Sequence, residues 1–191
     1  VAVEGGVVEA MGWNRYGGWR IGIRSFDSRR YYYYAHLQKD HPFAEGLQEG
    51  DVVHLGSCSF EVLLTPDTSI EENKGNNATT VIRLRLGSKS ILLLGDLGTE
   101  GSQRLLEKHG EKLKSDLCQV SHHGQRGCTR EVYAAIAPEG CIWTAPDWLW
   151  DKDKNEFDFS HNRIEVEWNW MKELGVKEHY VVHSGDVCIE C

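Results

Sequence analysis

The sequence predicts a mixed α/β chain in which an antiparallel, β-rich front runs into alternating strands and helices. Two observations carry this. Over the first ninety residues, β-branched and aromatic residues alternate between glycine-marked turns. Beyond them, short apolar runs alternate with segments whose apolar residues recur at helical spacing.

The front is built from Val1-Ala2-Val3, Gly6-Val7-Val8, Trp19-Arg20-Ile21-Gly22-Ile23 and Tyr31 to Tyr34, punctuated at Gly5-Gly6 and Gly17-Gly18. This is the pattern of strands joined by tight turns, with the tyrosines alternating inward and outward. Two more strands are expected near Val52–Leu55 and Phe60–Leu64, followed by a loop from Pro66 to Asn77. Thr79–Leu86 and Ser90–Leu94 form a hairpin about Gly87-Ser88. A helix from Thr99 to His109 places Leu105 and Leu106 on one face and stops at Gly110. Leu117–Val120 is a strand, Arg130–Ala137 a helix ended by Pro138, and Cys141–Thr144 a strand. Ile164, Trp168, Met171 and Leu174 mark a helix from about Arg163 to Leu174. Tyr180–His183 and Val187–Ile189 close the pattern as strands.

The 191 residues are 40% hydrophobic and 26% charged, which describes a globular chain long enough to bury a core. The longest apolar run, Ile91 to Leu94, is strand-sized, so no membrane span is expected. A net charge of −8 argues against a strong nucleic-acid patch. It leaves room for a small anionic substrate held by a bound metal. Cys58, Cys118, Cys128, Cys141, Cys188 and Cys191 are irregularly spaced and read as reduced thiols. The default compartment is cytoplasmic, and a secreted one stays open if a signal peptide precedes Val1. The chain starts at Val1 inside a strand pattern, which suggests a fragment. The oligomeric state is not legible.

Two constellations carry chemistry. In Ile91-Leu92-Leu93-Leu94-Gly95-Asp96 an apolar strand delivers a carboxylate at its carboxyl end. The competing reading makes Asp96 a cap for the helix near Thr99. In Gln119-Val120-Ser121-His122-His123-Gly124 a second strand ends in two imidazoles. Imidazole and carboxylate are the usual ligands of zinc and similar divalent ions. Adjacent histidines on an extended segment point opposite ways, so one of the two is expected to face the site. His109, His179 and His183 have no convincing partners in the sequence.

Asn76-Asn77-Ala78-Thr79-Thr80-Val81-Ile82-Arg83-Leu84, Ile91–Asp96 and Ser121-His122-His123-Gly124 together resemble the metallo-β-lactamase superfamily. Within it, they are most similar to the hydrolase domains of DNA-uptake competence proteins. The resemblance covers roughly residues 50–191. It implies the second half of an αββα sandwich and one or two metal ions, usually zinc, that activate water for hydrolysis. Asp96 would be the bridging carboxylate, His122 or His123 a ligand, and His161 the family's late histidine. Trp143 to Trp148 would line the site. Substrates in the superfamily include phosphodiesters, thioesters and lactams, with a phosphodiester favoured. The signature HxHxDH is missing: His36-Leu37-Gln38-Lys39-Asp40-His41 puts Gln38 where the second histidine belongs. The metal site is therefore expected to be incomplete.

Residues 1–53 resemble something else. Gly5-Gly6-Val7-Val8, Tyr16-Gly17-Gly18-Trp19, Tyr34-Ala35-His36-Leu37 and Gly46 to Val53 are similar to the β-rich core of lysostaphin-type zinc metallopeptidases. That resemblance places His36 on the family's catalytic histidine, but the zinc-ligand motifs are absent. The expectation is a fusion at about residue 53, with a partial peptidase-like segment ahead of a partial hydrolase domain at 54–191. A peptidoglycan-directed module and a catalytically inactive remnant stand as alternatives to an active hydrolase.

Overall fold

The computed structural model describes residues 5–37, 47–67, 69–150, 164–182 and 187–189. The chain divides into two compact units, Val1–Asp51 and Val52–Cys191.

In the first unit β1 (Gly6–Asn14), β2 (Gly18–Ser25) and β3 (Tyr31–Leu37) form an antiparallel sheet in the order β1-β2-β3. The first turn forms because the Asn14 carboxamide oxygen accepts from the amides of Tyr16 (3.0 Å) and Gly17 (2.6 Å). Among the described residues of this unit only Gly17, Gly22, and Ser25 are buried. Tyr31 and Tyr33 are exposed while Tyr32 and Tyr34 are half-buried, the alternation expected of a strand. Three strands without a buried apolar side chain make a sheet of marginal stability by themselves.

The second unit holds the core. Its sheet runs β10-β9-β8-β7-β6-β5-β4. The strands are β4 (Val52–Leu55), β5 (Cys58–Leu64), β6 (Val81–Leu86), β7 (Lys89–Leu93), β8 (Leu117–Gln119), β9 (Gly140–Trp143) and β10 (Glu178–Val181). Pairing is antiparallel from β4 to β7 and parallel from β7 to β10. The helices are α1 (Lys74–Asn77), α2 (Thr99–His109), α3 (Arg130–Ile136), α4 (Asp147–Trp150) and α5 (Ile164–Glu173). The chain is thus a mixed α/β protein. Leu92, Cys118, Cys141 and Trp143 from the sheet form one cluster with Leu105 of α2, Val132, Tyr133 and Ile136 of α3, and Met171 of α5. Burying such side chains contributes roughly 1.5–3 kcal/mol each.

Three local expectations need correction. Val187–Ile189, expected as a strand, forms no regular element, and Val187 and Cys188 are exposed. The loop from Pro66 to Asn77 ends in the short α1. Asp96 does not cap α2: its N-terminal residue is Gly98, which offers no side chain. Asn77 takes that role from a distance. Its Oδ1 accepts from the amides of Gly98 and Gly101 at 3.1 Å each, while its Nδ2 donates to the Glu72 carbonyl (3.0 Å) and the Glu100 carboxylate (2.8 Å). Helix-start amides have no partner within the helix, so a buried acceptor supplied by another segment satisfies them.

Asn77→Ala is expected to lower stability by roughly 2–3 kcal/mol, because two buried amides lose their acceptor. The check is the thermal midpoint of the full chain; a variant melting with the wild type would refute this account of how α2 starts.

Candidate metal centre

The site forms where β7 and β8 end. They are parallel neighbours with Leu93 opposite Gln119, so both chains leave the sheet side by side. The Gln119 side chain ties the two exits together. Its Oε1 accepts from the amides of Leu94 (3.0 Å) and Gly95 (2.8 Å), and its Nε2 donates to the carbonyls of Gly95 and Val120. The His122 amide donates to the Gly95 carbonyl at 2.9 Å. Gly95 itself turns the chain at φ 54°, and a Cβ there would stand 2.7 Å from Thr79 Cγ2. Only glycine suits both demands. Thr79 Oγ1 then accepts from the Asp96 amide at 3.2 Å, fixing the backbone that carries the carboxylate.

The two histidines do not lie on an extended segment as the sequence led us to expect. Ser121–Gly124 is a tight turn in which His122 (φ 48°), His123 (φ 59°) and Gly124 (φ 83°) are all left-handed. Such backbone costs roughly 1–3 kcal/mol per non-glycine residue and persists only where the surroundings over-determine it. The turn directs the rings to different partners. His123 Nε2 stands 3.7 Å from Asp96 Oδ1. His122 lies against Asn76, whose Nδ2 is 3.3 and 3.4 Å from its two ring nitrogens. The side chains of His123 and Asp96 are 41% and 46% exposed, so the pair opens to solvent.

His123 Nδ1 is 3.1 Å from the carbonyl oxygen of Thr144. A carbonyl only accepts, so Nδ1 carries the proton and donates. In a neutral ring, Nε2 then faces the Asp96 carboxylate with its lone pair. At 3.7 Å the two atoms are beyond hydrogen-bond range of one another.

The remaining predicted site residues fall elsewhere. His36 belongs to the first unit, exposed at an irregularity of β3 where φ is 55°, its amide donating to the Gly17 carbonyl at 2.7 Å. His161 lies outside the described residues, as do Gln38, Asp40, His41, His183 and Cys191. Trp143 does not line the site: it is fully buried, and its Nε1 donates to His179 Nδ1 at 3.2 Å. Its neighbour Thr144 contributes the carbonyl instead. His179, whose pKa burial lowers, and His109, 2.8 Å from the Leu63 carbonyl, both have partners that the sequence hid. Among the described residues, no three His, Cys, Asp or Glu side chains gather around one point.

Sequence reasoning missed Gln119, Tyr133 and Glu167. Glu167 had a signal: it is an acid on the apolar stripe of α5 between Ile164, Trp168 and Met171. It is 1% exposed, and burial pushes its pKa up to about 7 against the opposing pull of the Gly127 amide and the Tyr133 hydroxyl.

No family model matches the chain. It is 53% identical over 51 residues to the L-Ala–D-Glu endopeptidase of Bacillus subtilis (strain 168), a match covering 27% of this chain and 14% of that protein. It is 34% identical over 102 residues to ComE operon protein 3 of the same organism, covering 53% of this chain and 13% of that protein. The chain thus spans about one-seventh of the length of either relative. Among solved structures it is similar to YhfI of Bacillus subtilis, a metallo-β-lactamase fold protein, at 12% identity and a TM-score of 0.42, over 75% of this chain and 54% of that one. CmlA, a diiron β-hydroxylase of Streptomyces venezuelae, gives 14% identity and 0.44 over 69% of this chain and 32% of that one. No helix among the described residues is long and apolar enough to cross a membrane.

Two outcomes follow from this geometry. Gln119→Leu strands the amides of Leu94 and Gly95 and is expected to cost roughly 2–4 kcal/mol, read from the denaturant midpoint. Glu167 binds its proton more tightly in the folded chain than in the unfolded one, where its pKa is near 4.5. Its contribution to stability is therefore full below about pH 4.5 and declines as pH rises toward about 7. Urea midpoints across that range should fall more steeply for the wild type than for Glu167→Gln; parallel profiles would contradict the shift.

Proposed function

We propose that the Val52–Cys191 unit is a metal-dependent hydrolase centre of metallo-β-lactamase type, with Asp96 and His123 as ligands of a divalent cation, zinc being the favoured ion. One observation carries the reading. The Thr144 carbonyl is an acceptor for a proton on His123 Nδ1, so that in the neutral ring the Nε2 lone pair faces a carboxylate oxygen 3.7 Å away. A divalent cation is one partner that such a pair of electron-rich atoms can share; a proton on Nε2 and a bridging water are the others. Oxygen and nitrogen ligands of one tetrahedral zinc, each about 2.1 Å from it, lie roughly 3.4 Å apart. The spacing fits that donor pair after a small adjustment. A backbone carbonyl on the second ring nitrogen is also the usual support of a metal-binding histidine.

When bound, the cation supplies a water of lowered pKa and a counter-charge for the oxygen that becomes negative during hydrolysis. The protein's part is positional. Thr79 and Gln119 hold the Asp96 backbone; the left-handed turn and Thr144 aim His123. His122 stands beside Asn76 at the edge of the pair, placed to contact a substrate. His161, outside the described residues, is the further ligand that the resemblance implies. A phosphodiester is the favoured substrate class, supported by the resemblance to competence-type domains and by the 34% identity to ComE operon protein 3. Fold likeness by itself would not select it.

A second reading attaches to the Val1–Asp51 unit alone, favoured by the 53% identity to an endopeptidase. There the β1–β3 sheet is directed at wall peptides and His36 contacts the substrate. Loss of peptidoglycan hydrolysis in His36→Ala, with the wild type active, would establish it.

Zinc titration of the full chain by calorimetry tests the main reading. We expect one zinc site, weakened at least about tenfold by Asp96→Ala or His123→Ala, with hydrolysis of bis(p-nitrophenyl) phosphate lost in both. A wild-type chain that takes up no zinc would reject it.

A further inference from the structure

Glu167 occupies a place where core packing alone would put an apolar side chain. Its neighbours along the buried stripe of α5 are Ile164, Trp168 and Met171, and all pack on the main cluster. A carboxyl group in such surroundings is disfavoured unless its oxygens are matched, and replacing it with an apolar residue is commonly neutral or better for stability. Both oxygens here are matched, and the partners share one feature. Oε1 accepts from the Gly127 amide at 2.9 Å, and Oε2 accepts from the Tyr133 hydroxyl at 2.9 Å. The Tyr133 oxygen in turn accepts from the Ser121 amide at 3.1 Å.

Ser121 and Gly127 are the two ends of the segment that carries His122 and His123. These ends touch: a Cβ on Gly127 would stand 2.6 Å from both the Cβ and the Oγ of Ser121. Between them His122, His123, Gly124 and Arg126 all have positive φ. A run of left-handed residues holds its shape only while something outside it fixes both ends. Ser121 Oγ, which donates to the Leu97 carbonyl at 2.7 Å, anchors one end to the segment after Asp96. The carboxylate from α5 grips both.

We propose that Glu167 is a positioning residue: through Gly127 directly, and through Tyr133 to Ser121, it clamps the turn and so sets the direction of His123 Nε2. The effect on a metal rests on reading His123 as a ligand; the clamp itself does not. Tyr133 is the relay. Its hydroxyl has one proton, directed to Glu167, and its oxygen holds the other end.

Amide hydrogen exchange on the metal-free full chain, followed by zinc titration, tests both parts. In Glu167→Ala, exchange at Ser121 and Gly127 should rise at least about tenfold, while Leu92 and Leu105 in the core keep wild-type rates. Tyr133→Phe should free Ser121 and leave Gly127 protected. Glu167→Gln keeps an acceptor for Gly127 and should restore protection there. Zinc affinity should fall about tenfold in Glu167→Ala and Tyr133→Phe, and recover partly in Glu167→Gln. Wild-type exchange at Ser121 and Gly127 in Glu167→Ala would overturn the clamp. Loosened ends with unchanged zinc affinity would overturn its role in aiming His123. If the wild type binds no zinc, the ligand reading fails, and the ¹⁵N shifts of the His123 ring decide: the same shifts in wild type and Tyr133→Phe overturn the aiming role. Should Glu167→Ala unfold, Tyr133→Phe alone decides, through the contrast between Ser121 and Gly127.

Discussion

The site depends on one register. Leu93 and Gln119 lie side by side in parallel strands, so that a carboxylate following one and an imidazole following the other leave the sheet in the same direction at neighbouring points. Parallel pairing alone would leave the two exits free to diverge. The Gln119 carboxamide closes that gap by bonding both backbones, and the His122 amide adds a direct bond to Gly95. The rest of the arrangement adjusts direction. Thr79 steadies the Asp96 backbone, the Thr144 carbonyl lies 3.1 Å from His123 Nδ1, and Glu167 of α5 accepts from the Gly127 amide just after the turn.

Much of this is legible in the sequence where a periodic signal or a turn residue is involved. Strands β1 to β7 follow from alternation and glycine punctuation, β8 and β9 from short apolar runs, and α2 is readable from Thr99 to the glycine at 110. Asp96 and the histidine pair stand out because polar donors follow apolar strands. The left-handed turn does not stand out. Gly124 is its only residue with a strong preference for positive φ; histidine gives little warning. Gln119 reads as an ordinary strand position, and its function depends on a neighbour strand that sequence cannot supply. Glu167 is anomalous on its helix, yet its partner Tyr133 lies on another helix, and the link between them is invisible without the fold. Val187–Ile189 shows the opposite failure: strand-like residues that pair with no ladder form no strand.

The two units differ in how they are held. The second has a continuous apolar cluster spanning sheet and helices. The first keeps Val7, Val8, Met11, Trp13, Tyr16 and Phe26 exposed on a three-stranded sheet. Each of the two Bacillus subtilis relatives is matched over a small share of its own length.

The change of pairing at β7 has a consequence for how the molecule assembles. Strands β4 and β5, and β6 and β7, are each joined by a two-residue turn and pair antiparallel, so these two hairpins can form early from contacts close along the chain. Strands β8, β9 and β10 enter only after helical crossovers close longer loops, which is slower. Asp96 leaves the early part and His123 the late one. A chain arrested at the hairpin stage would present the acid without its imidazole, and the two meet only when the first crossover locks.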